Sequence, residues 1–378
     1  MQRKVMIEEV FSVVKLSLFP CWSWPLPKDA TKFQLLSVKL YYCLCIIVEI
    51  SLIPPLIYGI KNNLDDPTTL VQQVLVMSSL LHTISNFIFY MINYHRIQNV
   101  TFEMIHFTSF MKPHEEVLIQ RYIDKCVVYH GISIFIFYSI TLITLAIPFV
   151  TEQTFPILAK YPFDVFYQPL KTVIYINQSM AGILVSGQLC TNIYMALLLW
   201  FASARIEILS TEFERVTNIY EMYKCIKKHQ ELLEYSTEVA RVARPFVFAS
   251  VCCSITSIIA SFLLFITKQP TVILIQYFGL SAACISEVFM YNWPGEHLMF
   301  TCHDIGQVVF SNILENSHLT NFIDIWKCLQ IIIMRSQKPV KISIPCFIPA
   351  LSLNYFTSYL STIFSYFTTL RVMMNDNN

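Results

Sequence analysis

Apolar residues gather in seven runs along the chain, near 36–60, 69–92, 126–150, 172–200, 245–267, 271–293 and 349–370, with polar and charged connectors between them. A hydrocarbon layer about 30 Å thick is crossed by a helix of roughly 20 apolar residues, so each run is long enough to span it. The pattern predicts an all-α polytopic membrane protein with seven transmembrane helices. Two shorter apolar runs fit a different place. VFSVVKLSLF (10–19) is interrupted by Lys15 and predicts an interfacial helix within an N-terminal segment, 1–33. The CWSWPLP that follows it offers no small-residue cleavage site, so no secretory leader is expected here. FIDIWKCLQIIIM (322–334) is too short to span and lies between charges, which predicts a buried helix outside the bilayer.

The connectors divide the chain further. Helices 1–4 occupy 34–200 and helices 5 and 6 occupy 244–293. Segment 201–243 contains neither Pro nor Gly and is rich in Glu, Lys, Leu and Ile, so it predicts a continuation of helix 4 and a returning helix toward helix 5. Segment 294–348 is read as a loop containing the short helix, 349–370 as helix 7 and 371–378 as a tail. With 55% hydrophobic and 13% charged residues and a mean hydropathy of +0.54, the composition excludes a soluble domain of 378 residues.

Charge gives an orientation, because Lys and Arg favour the cytoplasmic flanks of spans. The N-terminal segment carries Arg3, Lys4, Lys15, Lys28 and Lys32, and the connector after helix 2 carries Arg96, Lys112 and Arg121. On the same side lie Arg205, Arg215, Lys224, Lys227, Lys228, Arg241 and Arg244 after helix 4, and Lys327, Arg335, Lys338 and Lys341 after helix 6. The opposite side carries Lys61, Lys160, Lys171, Lys268 and Arg371 alone. The expected topology has a cytoplasmic N-terminus and an extracellular C-terminus, the inverse of a G-protein-coupled receptor. None of the 12 cysteines falls in an expected outer loop, and the Asp-Arg-Tyr and Asn-Pro-x-x-Tyr marks of such receptors are missing. The sequon at Asn99 falls on the cytoplasmic side, so no glycan is expected there.

Helix 7 carries the most informative pattern. Asn354, Ser358, Thr362, Ser365 and Thr369 recur at helical spacing on one face, while Tyr355, Phe356, Tyr359, Leu360, Ile363, Phe364, Phe367 and Leu370 cover the others. Hydroxyls in hydrocarbon either bond back to their own backbone and let neighbours approach, or line water along an ion path. A single such face encloses nothing alone, so the second reading requires several subunits around an axis. Ionisable residues at membrane depth include Lys39, Glu49, His82, His130 and Glu287. Lys39, His130 and Glu287 are placed toward the inner ends, where they snorkel or join the cytoplasmic base, whereas Glu49 and His82 have no partner that spacing identifies. His297, Cys302 and His303 fit no strong zinc spacing, and no nucleotide loop, nucleophile elbow or carboxylate pair is present, so no metal, cofactor, nucleic acid or enzymatic activity is expected.

The stretch IIIMRSQKPVKISIPCFIPALSLNYFTSYLSTIFSYFTTLR (331–371), with its Arg-Ser-Gln-Lys-Pro and closing Ser-Tyr-Phe-x-x-Leu-Arg, resembles the C-terminal signature of insect odorant receptors. GEHLMFTCHDIGQVVFSNI (295–313) resembles the family more loosely, and SNILENSHL (311–319) lacks its bulky aromatic pair. The Thr-Tyr-x5-Gln-Phe pattern of gustatory receptors is absent from the last helix. The resemblance implies an odour-gated, non-selective cation channel in the plasma membrane of olfactory neurons, assembled as a heterotetramer with the odorant receptor co-receptor. The loop after helix 4 is shorter than in the co-receptor, which implies a ligand-tuning subunit. By the same resemblance Ser358, Thr362, Ser365, Thr369 and Met373 line the pore, with Thr369 and Met373 at its outer narrowing. A small volatile is expected among helices 2, 3, 4 and 6, at Met77, Leu80, Tyr138, Thr141, Leu142, Asn177, Met180, Ala181 and Tyr277. The remaining partner is membrane lipid. A seven-helix receptor signalling through G proteins and a gustatory-type channel are the alternative readings.

Overall fold

The computed structural model describes residues 6–265, 270–315, 323–345 and 347–376, and within them the regular structure is helical. The first apolar run is two helices, α2 (Lys32–Ser51) and α3 (Ile53–Asn62), meeting at Leu52. Pro54 and Pro55 have no amide hydrogen to give and their rings crowd the preceding turn, so the chain restarts where a first helical turn tolerates them. Five long helices follow: α4 (Pro67–Ser109), α5 (Pro113–Val150), α6 (Leu170–Phe213), α7 (Ile219–Phe265) and α8 (Thr271–Glu315). At 1.5 Å per residue these are about 57–70 Å long, roughly twice the hydrocarbon thickness. Much of what the sequence leaves as connector after the second and sixth runs is therefore helix. No Pro or Gly falls between 93 and 109, and Pro294 is absorbed within α8.

The extensions gather into a base at the end where α4 passes to α5 and α6 to α7, joined there by α9 (Ile323–Ser336). Arg205 organises part of it. Its guanidinium bonds Glu103 at 2.6 Å and lies over the rings of Phe107 and Tyr235, 4.9 and 4.8 Å from their centres. His229 is buried in the base, and burial, reinforced by the Arg335 charge, pushes its imidazole down to about 4.

α6 is the axle of the bundle. In its most apolar stretch 78% of residues are buried, against 22% in α5. α5, α7 and α8 pack around it, whereas α5, just as apolar all round, is left largely on the outside of the chain.

The N-terminal segment departs from a surface position. α1 (Ile7–Ser17) packs on α5 and α6, and the stretch that follows runs into the bundle, where Leu18, Cys21 and Ser23 are wholly buried. Backbone outside a helix is costly there unless every polar group is paired. Tyrosine hydroxyls supply the pairing: Tyr138 donates to the Ser17 carbonyl at 2.6 Å, Tyr41 to Pro20 at 2.5 Å, Tyr42 to Trp22 at 2.9 Å and Tyr90 to Ser23 at 2.7 Å. The Cys21 thiol donates to the Leu184 carbonyl on α6 at 3.3 Å. Gly187 permits this approach, since a Cβ there would stand 2.5 Å from the Cys21 sulfur. The aromatic richness of CWSWPLP and of helices 1 and 2 thus builds a wedge beyond α1, whose Val13 and Leu16 remain exposed.

Candidate functional site

The interior of α4, α6, α7 and α8 encloses an unusual amount of polarity. His82 Nε2 on α4 faces Glu287 Oε1 on α8 at 3.3 Å, and both side chains are buried. Asn192 on α6 donates to the same carboxylate oxygen at 2.6 Å, and its own amide oxygen accepts from Tyr291 at 2.6 Å. The Asn86 amide lies 3.1 Å from the imidazole. Glu287, expected to snorkel, is instead the partner that spacing could not give His82. Their separation of more than two hundred positions in the chain hides the pair from any sequence periodicity. Glu49, the other ionisable residue left unassigned, is buried on α2 with no hydrogen-bond partner on either carboxylate oxygen.

A cavity of about 30 Å³ adjoins the pair, walled by Ser79, Gln188, Ser254, Leu280, Cys284 and Glu287 among others. It has room for roughly two waters. One wall reaches α10 (Leu353–Asp376), because the Ser254 hydroxyl is 2.6 Å from that of Tyr359.

The residues expected to meet a volatile divide into three groups. Met77, Leu80 and Ala181 come together with Leu52, Leu56 and Ile157 in a small apolar cluster, and Tyr277 packs nearby with Leu75, Ala260 and Leu264. Tyr138 and Thr141 have structural bonds: Tyr138 clamps the wedge, and Thr141 donates to the Gly182 carbonyl at 3.1 Å and pairs with Ser186. Leu142 and Met180 face outward from the chain, 66% and 48% exposed, and Asn177, half-buried, donates to Ser51 on α2 at 2.9 Å.

On α10 the polar stripe points away from the chain. Tyr359 and Ile363 are buried against α7 and α8, while Asn354, Ser358, Thr362, Ser365 and Thr369 are all exposed, as is Met373. The hydroxyls of Ser358, Thr362 and Thr369 donate to carbonyls one turn back, at 3.0, 2.8 and 2.9 Å. The packed face is aromatic: Phe364 and Phe367 engage Phe262 on α7, and Phe356 engages Phe289 on α8, with centroids 5.3–5.8 Å apart. Asn292 of α8 anchors the start of α10 by accepting from the Ser352 amide at 3.1 Å. Among the described residues six helices, counting α2 and α3 as one, are apolar enough to cross a membrane by composition; α10, rich in hydroxyls, is not one of them. Among the described residues every cysteine is free and no cluster of metal-ligating side chains occurs.

The family model described as 7tm Odorant receptor matches residues 66–364, more than half of the chain, and the chain belongs to that family. Among solved structures it is similar to the insect olfactory receptor OR5 from Machilis hrabei, with a TM-score of 0.82 and 16% identity, covering 96% of this chain and 98% of that one. The same receptor in complex with eugenol aligns at a TM-score of 0.79 and 16% identity, covering 97% and 98%. No curated protein sequence matches significantly. The protein is an odorant receptor of the membrane, with the seven-helix fold, and not an enzyme.

Proposed function

We propose that this receptor is the ligand-tuning subunit of an odour-gated cation channel, assembled with the odorant receptor co-receptor, whose pore is lined by α10. The outward hydroxyl stripe is the observation that carries this reading: four small hydroxyls and an amide, unused by the chain's own packing, form a continuous wettable face once several copies surround an axis. Orientation follows the charge asymmetry, with the N-terminus and base in the cytoplasm and the C-terminus outside. Facing the cytoplasm, the base is where subunits anchor to one another. The odorant, a small volatile, sits in the outer half near Met77, Leu80, Ala181 and Tyr277, where apolar contact and shape decide affinity. Its binding gates the pore by favouring the open arrangement of α10 over the closed one. The cells are olfactory neurons and the compartment their plasma membrane.

The test is whole-cell current from cells expressing this chain with the co-receptor, challenged with a broad volatile panel under G-protein blockade. The expected result is a rapid cation current that needs both chains, with odour selectivity altered by Met77→Ala or Tyr277→Ala. A response abolished by the blockade overturns the channel reading in favour of a G-protein-coupled receptor.

A further inference from the structure

One face of α7 changes character where the helix leaves the base. Arg241, Arg244 and Phe248 are spaced three and four apart, which stacks them one above another. From Arg244 to Phe265 the helix rises about 32 Å, close to the hydrocarbon thickness, so Arg244 stands at the edge of the bilayer on the side of the base and Phe248 about 6 Å inside it. The charges there do not balance. Glu238 is shared, since Arg241 bonds it at 2.7 Å and Arg96 of α4 at 3.2 Å. Glu234, the next acidic residue along the face, is two turns further from the bilayer than Arg241. Arg244 is half-buried, its Nε is buried without an acceptor, and among the described residues no carboxylate pairs with it. Above it the Phe248 ring, 41% exposed, meets Phe347, 46% exposed, edge to face with centres 5.5 Å apart. Phe347 belongs to a tight turn in the connector to α10, closed by the Ile344 and Ile348 backbones at 2.8 and 2.9 Å. Lys338 and Lys341 of the same connector are exposed.

We propose that this face of α7, with the connector beside it, binds an anionic glycerophospholipid of the cytoplasmic leaflet: Arg244 and Lys341 take the phosphate, and the acyl chains lie over Phe248 and Phe347. The choice of leaflet rests on the cytoplasmic placement of the base. A guanidinium left without a carboxylate at the edge of hydrocarbon is costly until an anion meets it, and phosphate oxygens accept from its planar N–H fork in pairs. The rings above it suit acyl chains, so the boundary between charge and apolar surface on the protein falls where the lipid has its own. A protein partner would have to bring both an anion and an apolar strip to the same two turns of helix. Because Phe347 leads into α10, a bound lipid ties the start of that helix to α7, and its loss frees the connector.

The experiment is thermal stabilisation of the full-length chain in a neutral detergent doped with dioleoylphosphatidylserine or, separately, dioleoylphosphatidylcholine, with three variants. The serine lipid is expected to raise the unfolding midpoint at a mole fraction where the choline lipid does not. Arg244→Gln should raise the half-maximal mole fraction about tenfold and Lys341→Gln about two- to threefold, while Lys39→Gln, which removes an exposed cation from α2, should leave it unmoved. Lys341 is exposed, so its variant reads the site without a burden on folding. The site is overturned if the choline lipid stabilises equally well, or if the preference survives both Arg244→Gln and Lys341→Gln. It is overturned equally if Lys39→Gln weakens binding as much as they do, which is the attraction of a basic surface, or if the midpoint follows protein concentration and not lipid, which is the mark of a second copy on this face. The measurement needs neither odorant nor current, and micelles have no leaflets. A lipid-selective chain that never conducts with the co-receptor refutes the channel reading alone, an N-terminal epitope reached on intact cells refutes the leaflet, and a conducting chain indifferent to the lipid refutes the site alone.

Discussion

Two polar regions of this receptor lie at membrane depth, and they are treated in opposite ways. Inside α4, α6, α7 and α8, His82, Glu287, Asn192 and Tyr291 are matched to one another across three helices of the same chain. On α10 the hydroxyls satisfy themselves on their own backbone and present their surface outward. The first arrangement specifies how one chain closes, since an unpaired buried charge is severely penalised. The second leaves the fold indifferent and offers a wettable face to whatever lies beyond. Stability should therefore be sensitive to the interior network and nearly blind to the stripe, and conduction the reverse.

The largest effect should come from breaking the interior pair on one side. Glu287→Leu leaves His82 and Asn192 facing apolar surface and is expected to lower stability by about 3–5 kcal/mol. The double change His82→Leu with Glu287→Met should recover much of this, measured as the midpoint of heat-induced unfolding in detergent. A smaller loss, about 1 kcal/mol, is expected for Tyr138→Phe, which removes one clamp on the wedge and leaves the Ser17 carbonyl unpaired.

The base gives a pH-dependent version of the same contrast. The folded His229 imidazole titrates near about 4 and the unfolded one near about 6.5, so the unfolded chain takes up its proton first as pH falls. His229 thus allows full stability above about pH 6.5 and subtracts from it progressively toward pH ~4. His229→Gln should flatten that part of the melting-temperature profile. The least effect on folding, within about 0.5 kcal/mol, is expected from Thr362→Val or Ser365→Ala. If α10 lines the pore, these same variants change single-channel conductance or ion selectivity. Leu142→Ala, at an outward position, should leave odour selectivity unaltered.

The helical content, the number of spans and the hydroxyl stripe were legible because each is written at short range: an apolar run of sufficient length, or a recurrence every third and fourth residue. The stripe could even be assigned to one face, though not to the outside of the chain. Contacts between distant segments were not legible. Nothing near His82 announces Glu287, and nothing in CWSWPLP says that its carbonyls meet tyrosines from α2 and α4. Rotation of α5 and α6 was also out of reach, because their apolar residues surround the helix and give no preferred face. That is why the exposure of Leu142 and Met180 is visible only in the structure.

The wedge also orders events during synthesis. Cys21 docks on Leu184, 163 residues later in the chain, and Ser17 on Tyr138. At about 5–20 residues per second, the ribosome makes the Cys21 docking surface roughly 8–33 s after Cys21 itself. Tyr41, Tyr42, Tyr90 and Tyr138 are made earlier, but until α6 emerges the Cys21 thiol lacks its acceptor and the segment cannot complete its docking. A bulky tag fused close to the N-terminus would have to be carried along by that late insertion, and should slow maturation more than the same tag placed at the C-terminus.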